Sequence, residues 1–378
     1  MSSSRTLTTF LLLCGASLFL CSSISYGVAS IFKTTFASDQ GLTSSLRIVI
    51  ELLVYIYIFS RISRRDILRL LAVVGSINSI VVTLQFADRL LESSGFGSLA
   101  LNSIMSDFWN YTPEFSRFAG LFNSYVSSSY FACLAISAWL ASNGAPSEDR
   151  NTLKGLVHLL YLSIPIFFGL RTALLLILPL LLYQAYLVLI GSLSSKLWTL
   201  RIKRRYLGMA VILASFIRFL FGQASYYFSG SANDFFKSHF EERILPAFSI
   251  LAGSREYSSS DTLSYYYNLI KIPSQTFFIG NSQHRYSEFG GNDPLFTRWV
   301  YQSGLVAGIV AVMCILAILF YLNQHGCTLP TLFLSATLLA FSVKSDTPIS
   351  LGFICLTLAT VNIIRVQHSY SISSPERT

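Results

Sequence analysis

The sequence predicts an all-α fold, a polytopic transmembrane helical bundle of about ten spans with a large extracytoplasmic helical loop. Of the 378 residues, 53% are hydrophobic and only 12% are charged, whereas soluble domains carry about 25% charged residues. Aromatic residues make up 14% of the chain, and such residues favour the interface between membrane and water. These proportions indicate that lipid is the solvent for most of the chain.

Apolar runs that approach the length of a membrane-spanning helix, about 20 residues, recur along the whole sequence. They cover roughly 8–31, 46–60, 67–86, 121–142, 153–169, 172–193, 206–223, 299–322, 328–343 and 348–366. The first run follows Arg5 and also fits a cleaved signal peptide. Its length favours a span that remains in the protein.

Basic residues predict the orientation of the spans, because Lys and Arg accumulate in cytoplasmic loops. One basic cluster follows the second span and another follows the sixth, so ten spans place both on one side. The clustered residues are Arg61, Arg64, Arg65, Arg69, Lys196, Arg201, Lys203, Arg204 and Arg205. We therefore expect both termini in the cytoplasm and the segments at roughly 87–120 and 224–298 outside. The basic residues that set this orientation account for part of the net charge of +9. The charge therefore does not indicate a nucleic-acid partner, and none is expected.

The simplest organisation is a single transmembrane domain, residues 1–378, with an inserted periplasmic loop subdomain at 224–298. Within that loop, apolar residues recur at near-helical spacing over 233–251 and over 260–271. These patterns predict helices that lie on the outer membrane surface or pack as a small helical cap. The two arrangements are compatible.

Cysteine and histidine usage argues against a disulfide scaffold and against a metal centre. Five of the six cysteines fall in apolar runs, no CxxC pair exists, and the five His residues lack the spacing of metal ligands. We expect no metal and no cofactor.

Arg171 is the first candidate for function, because it lies between two apolar spans with almost no loop. The predicted topology puts its guanidinium at the outer interface, where orientation needs no basic residue. It also lies at the N-terminal end of a span, where the helix dipole disfavours a cation. The alternative is an arginine that reaches membrane lipid headgroups.

Further arginines could bind an anion together with Arg171. Arg117 precedes the fourth span and could instead be an interfacial anchor, whereas Arg255 precedes a helical run and could instead pair with Glu256. Arg243 is a weaker substitute. Arginine suits phosphate because its planar guanidinium donates two parallel hydrogen bonds and stays charged.

The segment 271–306 contains the candidates for a general base, namely Asp293, His284 and Glu288. Such a base must reach the hydroxyl that it deprotonates. Asp293 followed by Pro294 has a second interpretation, since Asp is a good N-cap and Pro a good first helical residue. An N-cap can also be catalytic, so the two roles are compatible.

The arginines near the membrane surface suit a polyprenol-linked phosphate or pyrophosphate. Tyr and Ser, which are frequent over 224–302, suit contacts with a glycan on that lipid. The chain here resembles the superfamily of bacterial O-antigen polymerases and O-antigen ligases. The resemblance lies in the order of Arg117–Phe122, Arg171–Leu175, Arg255, Pro273–Gly280 and Asp293–Gly304.

The resemblance implies a helical fold with an outer helical cap, as in lipid-dependent membrane glycosyltransferases of the bacterial inner (cytoplasmic) membrane. It implies an undecaprenyl-diphosphate-linked glycan as donor and a periplasmic active site without metal. Arg171 and Arg255 would bind the pyrophosphate, and Asp293 or His284 would deprotonate the acceptor hydroxyl. A chain-length regulator and a flippase are the implied partners. Whether the anomeric carbon inverts or retains its configuration stays open.

Three alternatives remain open from the sequence. Ligases commonly carry a His-containing motif where this chain has Asn292 and Asp293, so the pattern favours a polymerase over a ligase. A transporter would need polar or charged residues near the bilayer midplane and internal symmetry, and the apolar runs show neither clearly. A non-catalytic assembly component is the third. The sequence does not distinguish a polymerase of the O-antigen pathway from one of the capsule or exopolysaccharide pathways.

Overall fold

The computed structural model describes residues 2–31, 40–59, 61–93, 98, 100–104, 118–122, 124–143, 152–169, 171–194, 274–280, 282, 294–324, 328–349 and 353–373. Within these ranges the regular structure is helical, and no strand occurs. The expected all-α fold is therefore confirmed for the described part of the chain.

The helices are named in chain order. They are α1 (Ser2–Ile31), α2 (Gln40–Val54), α3 (Arg64–Ser93), α4 (Tyr125–Asn143), α5 (Thr152–Phe167), α6 (Arg171–Ser194), α7 (Ser274–Ile279), α8 (Leu295–Ser303), α9 (Leu305–Asn323), α10 (Leu329–Lys344) and α11 (Phe353–Ser373). A π-helical turn, Tyr55–Phe59, extends α2, and a 3₁₀ turn, Thr347–Ile349, precedes α11.

Three of the described helices are long and apolar enough to cross a bilayer: Thr6–Ile31 of α1, Arg65–Arg89 of α3 and Leu305–Asn323 of α9. Shorter apolar helices occur at Gly155–Phe167, Ala173–Ala185, Leu329–Lys344 and Phe353–Arg365. The chain is thus an α-helical membrane protein. Each predicted span overlaps a described helix, except 206–223, which lies outside the described residues. A total of about ten spans stays a prediction.

The structure differs from the expected eighth span, 299–322, which was predicted as one helix. The chain forms α8 and α9 with a break at Gly304, whose φ is +88°. Glycine adopts such angles without the steric penalty that a Cβ brings. Pro294 is also the N-cap of α8, in extended conformation, and not its first helical residue. The expected N-cap, Asp293, lies outside the described residues.

The chain divides into two compact units, each discontinuous in sequence. The first unit comprises Met1–Ala72, Cys133–Gly144 and Glu256–Thr378, and the second comprises Val73–Ala132 and Ala145–Arg255. The proposed loop subdomain at 224–298 falls almost entirely outside the described residues, so its boundaries stay a prediction.

In the first unit, α1 packs against α2 and α9. Gly15 permits a close approach, because a Cβ on it would lie 3.3 Å from Val49. The hydroxyl of Ser25 donates to the carbonyl of Gln302 at 3.1 Å, just before α9 begins. Near the other end of α9, the guanidinium of Arg365 lies 3.7 Å above the ring of Tyr321. Polar contacts thus occur at both ends of this helix.

In the second unit, apolar side chains from three segments form a small core. Val82 of α3 and Phe118 are buried, and Phe86, Ile164 and Phe168 pack against them. This core joins α3, the residues around Phe118 and the C-terminal end of α5. The candidate arginines Arg117 and Arg171 border two of these segments in the sequence.

Candidate functional site

A tight turn connects α5 to α6 and ends at Arg171, the first residue of α6. Gly169 in this turn is buried, and a Cβ on it would lie 2.0 Å from the Ser129 hydroxyl and 2.5 Å from the Pro165 carbonyl oxygen. Only glycine fits there without a shift. Arg171 is thus at the N-terminal end of a helix, as the sequence predicted, although its side chain is not among those described.

The residues that follow Arg117 contact this same turn. The amide of Phe118 donates to the carbonyl oxygen of Phe168 at 3.3 Å. The rings of Phe118 and Phe168 meet edge to face, with centroids 5.8 Å apart, and Phe86 packs on both. Two arginines chosen from distant parts of the sequence therefore border segments that are hydrogen bonded to each other.

Two buried amides of α3 hold the backbone next to Phe118. The side-chain oxygen of Gln85 accepts from the amide of Gly120, and that of Asn78 accepts from the amide of Leu121, both at 2.9 Å. Asn78 also donates to the hydroxyl of Ser128 at 3.0 Å. Backbone amides that are buried outside a helix need such internal partners, because an unpaired buried amide is costly.

The C-terminal part of α3 holds a second segment of the chain in the same way. The carboxylate of Asp88 accepts from the hydroxyl of Ser98 and from the amide of Asn102, both at 2.9 Å. The side chain of Asn102 donates to the carbonyl of Gln85 at 3.0 Å. The polar face of α3 thus binds two separate parts of the region between 98 and 121.

The sequence analysis missed Asn78, Gln85 and Asp88, all of them 0–1% exposed. A signal was present, since polar residues inside an apolar span are expensive and tend to be functional. Asn78 and Gln85 are seven residues apart and so lie on one helix face.

In the first unit, two glycines allow two backbone segments to cross in contact. Gly280 has a φ of +84° and Gly304 one of +88°. A Cβ on Gly280 would lie 2.7 Å from the Gln302 carbonyl oxygen, and one on Gly304 would lie 2.3 Å from that of Phe278. Ser282, itself at φ +62°, donates its amide to the same Gln302 carbonyl at 3.0 Å.

An ion pair connects α8, at a residue before Gln302, to the turn that follows α10. The guanidinium of Arg298 lies 2.5 Å from the carboxylate of Asp346, and the two side chains are 18% and 9% exposed. Burial raises the pKa of Asp346, against the opposing effects of the Arg298 charge and of a backbone hydrogen bond. Nearby, the indole nitrogen of Trp299 and the amide nitrogen of Gln302 are buried without a partner among the described residues.

The remaining predicted site residues lie outside the described part of the chain. They are Asp293, His284, Glu288, Arg117, Arg255 and Arg243. Both flanks of the segment that holds the three candidate bases are described. Ser282 binds the C-terminal end of α8, and Pro294 caps its N-terminal end.

Comparison with models of protein families, with curated proteins and with solved structures finds no match to this chain.

Proposed function

We propose that the chain is a metal-independent glycosyltransferase of the bacterial cytoplasmic membrane that polymerises undecaprenyl-diphosphate-linked repeat units at the periplasmic face. The main support is the hydrogen bond from Phe118 to Phe168. It joins the segment that follows Arg117 to the turn that ends at Arg171. Two arginines on bonded segments suit a ligand with two adjacent anionic groups, such as a diphosphate.

In the proposed reaction, a hydroxyl of the acceptor repeat unit attacks the anomeric carbon of the donor glycan. The bond from that carbon to the diphosphate oxygen breaks, and undecaprenyl diphosphate leaves with the electron pair. Arg171 and Arg117, with Arg255 and Arg243 as further candidates, stabilise the charge that develops on this leaving group. Asp293, His284 or Glu288 accepts the proton of the attacking hydroxyl.

The proposal is tested by deletion of the gene and complementation, with surface polysaccharide resolved on a gel. Deletion should leave single repeat units, the wild-type gene should restore the ladder, and Arg171→Ala should not. Arg89→Ala is the matched control, because Arg89 lies at the end of α3 and pairs with Glu92 at 2.6 Å. It should restore the ladder at equal membrane levels. A ladder of normal length with Arg171→Ala would refute the proposal.

The same gel separates the alternatives. A ligase is indicated if deletion removes glycan from lipid A-core while polymer accumulates on the lipid carrier. A transporter is the second candidate, because α3 carries buried polar residues inside a candidate span, a feature of transport pathways. In that case deletion would retain unpolymerised lipid-linked units on the cytoplasmic side.

A further inference from the structure

We infer that Asn78 and Gln85 are positioning residues for binding of the donor diphosphate. The two amides would hold the backbone that follows Arg117 against the turn that ends at Arg171, and so fix the spacing of the two segments next to these candidate arginines. This inference rests on the proposed function. It assigns a role to two side chains that touch neither substrate nor leaving group.

The geometry is that of a clamp on the two peptide units that flank the Gly120 Cα. Asn78 and Gln85 are about 10 Å apart along α3, from a rise of roughly 1.5 Å per residue. Their side-chain oxygens nevertheless bind the amides of two consecutive residues, Gly120 and Leu121. Val82 lies between them in the sequence, and a Cβ on Gly120 would approach it to 2.9 Å. The two peptide units on either side of the Gly120 Cα are therefore held from both directions along the helix.

Apolar packing alone does not account for these amides. A buried amide is expensive in an apolar setting unless it is hydrogen bonded, and an apolar side chain would fill the same space. Gln85 binds the loop amide through its oxygen, while its side-chain nitrogen has no partner among the described residues. Retaining an amide there is useful when the backbone that it binds has to stay in one position.

The clamp is linked to the turn that ends at Arg171 by the packed rings of Phe86, Phe118 and Phe168. Phe86, one residue after Gln85, packs on Phe118 and Phe168 at centroid distances of 6.1 and 4.7 Å. One face of α3 therefore contacts both arginine-bearing segments. Recognition of a diphosphate by two guanidinium groups depends on their separation, because parallel hydrogen bonds have strict geometry.

The test uses the full-length protein in nanodiscs, with undecaprenyl diphosphate and undecaprenyl monophosphate as probes. Asn78→Leu and Gln85→Met remove the bonds to the loop. We expect each to lower the affinity for the diphosphate lipid by about tenfold, the equivalent of one hydrogen bond. Affinity for the monophosphate lipid should stay within about threefold, because it does not require both guanidinium groups. A loss of fold alone would lower both affinities equally.

Two matched variants serve as controls. Ser79→Ala removes a buried hydroxyl from the same helix, which donates to the carbonyl of Gly75 at 3.0 Å. Ser128→Ala removes the other bond of Asn78 and leaves its bond to Leu121. Both should keep the preference for diphosphate, and thermal unfolding reports whether each variant is folded. Should Asn78→Leu not accumulate, Gln85→Met decides the question.

The outcomes distinguish this inference from the proposed function. If Arg171→Ala loses the preference for diphosphate while Asn78→Leu and Gln85→Met retain it, the positioning role is wrong and the proposed function stands. If the wild-type protein shows no preference for the diphosphate lipid, or if Arg171→Ala keeps that preference, both fail. Loss of the preference in all three variants, with both controls unchanged, supports both.

Discussion

Gly120 is the residue at which the loop backbone and the α3 clamp meet most closely. Its φ is +61°, and a Cβ on it would lie 2.0 Å from the side-chain oxygen of Asn78. A side chain at this position thus faces both an unfavourable backbone angle and a direct clash. It would also displace the oxygen that accepts from Leu121.

Gly120→Ala should therefore destabilise the second unit by about 1–3 kcal/mol, since it strains the backbone and disturbs one buried hydrogen bond. Gly27→Ala is the matched control, because Gly27 lies in α1 and a Cβ there would meet nothing within 4 Å. Thermal unfolding of the purified protein in detergent measures both. Equal melting temperatures for the two variants would contradict the geometry of this turn.

Residue chemistry explains which site residues the sequence could predict. Arg171 was identifiable because a charge between two apolar runs is conspicuous in the sequence. Asn78 and Gln85 were visible only as polar residues inside an apolar run. What they bind was not predictable, because their partners are backbone amides more than 30 residues away. Such partners follow from tertiary packing, and no local pattern records it.

At the scale of elements, the ion pair between Arg298 and Asp346 connects α8 to the turn between α10 and α11. Both groups are mostly buried, so removing one partner leaves the other charge without compensation. Replacing both removes the desolvation penalty together with the attraction.

Asp346→Leu should therefore lower the free energy of unfolding by about 3 kcal/mol. The double variant Arg298→Met with Asp346→Leu should recover a large part of that loss. A double-mutant cycle of thermal unfolding temperatures measures the coupling. Additive losses from the two substitutions would show that the pair contributes no coupling energy.

The packing of α1 on α9 makes a second prediction at this scale. Cys14 of α1 and Cys314 of α9 are buried free cysteines near each other across these helices. Iodine, which enters the bilayer, should oxidise them to a disulfide. With a protease site inserted between residues 195 and 205, the cleaved halves should stay joined on a non-reducing gel. Cys14→Ser should abolish the link and Cys21→Ser should not. A link that survives Cys14→Ser would contradict the packing.

The break at Gly304 was not predictable from apolarity, which continues through the expected span 299–322. The signal that decides it is non-local, because the backbone carbonyl of Phe278 lies where a Cβ of Gly304 would stand. Helices α1 to α6, α10 and α11 overlap the other described spans expected from the apolar runs, whereas the short helix α7 was not predicted. The outer loop at 224–298 stays a prediction from sequence.

At the scale of the whole molecule, polar contacts within the first unit lie near the two ends of α9. Ser25 meets Gln302 just before its start, and Tyr321 near its end meets Arg365. A helix of 19 residues is about 28 Å long, close to the thickness of the hydrocarbon core of a bilayer. The two groups of contacts are thus separated by about the thickness of the bilayer core. Which of them faces the periplasm stays a prediction.

This topology predicts the behaviour of alkaline phosphatase fusions, which are active only outside the cytoplasm. Fusions after Ser38 or Asp346 should be active, because both positions fall on the proposed periplasmic side. Fusions after Ser63 or His325 should be inactive at equal expression. If only one of the fusions after Ser38 and Asp346 had phosphatase activity, the proposed topology of the first unit would be wrong.

The central claim is that this chain itself joins lipid-linked repeat units, and purified protein tests it most directly. Lipid-linked repeat units extracted from the deletion strain would be supplied to the protein in liposomes. The account predicts a glycan ladder with release of undecaprenyl diphosphate, unchanged by EDTA and lost in Arg171→Ala. Absence of a ladder with folded wild-type protein, or an undiminished ladder with Arg171→Ala, would contradict it.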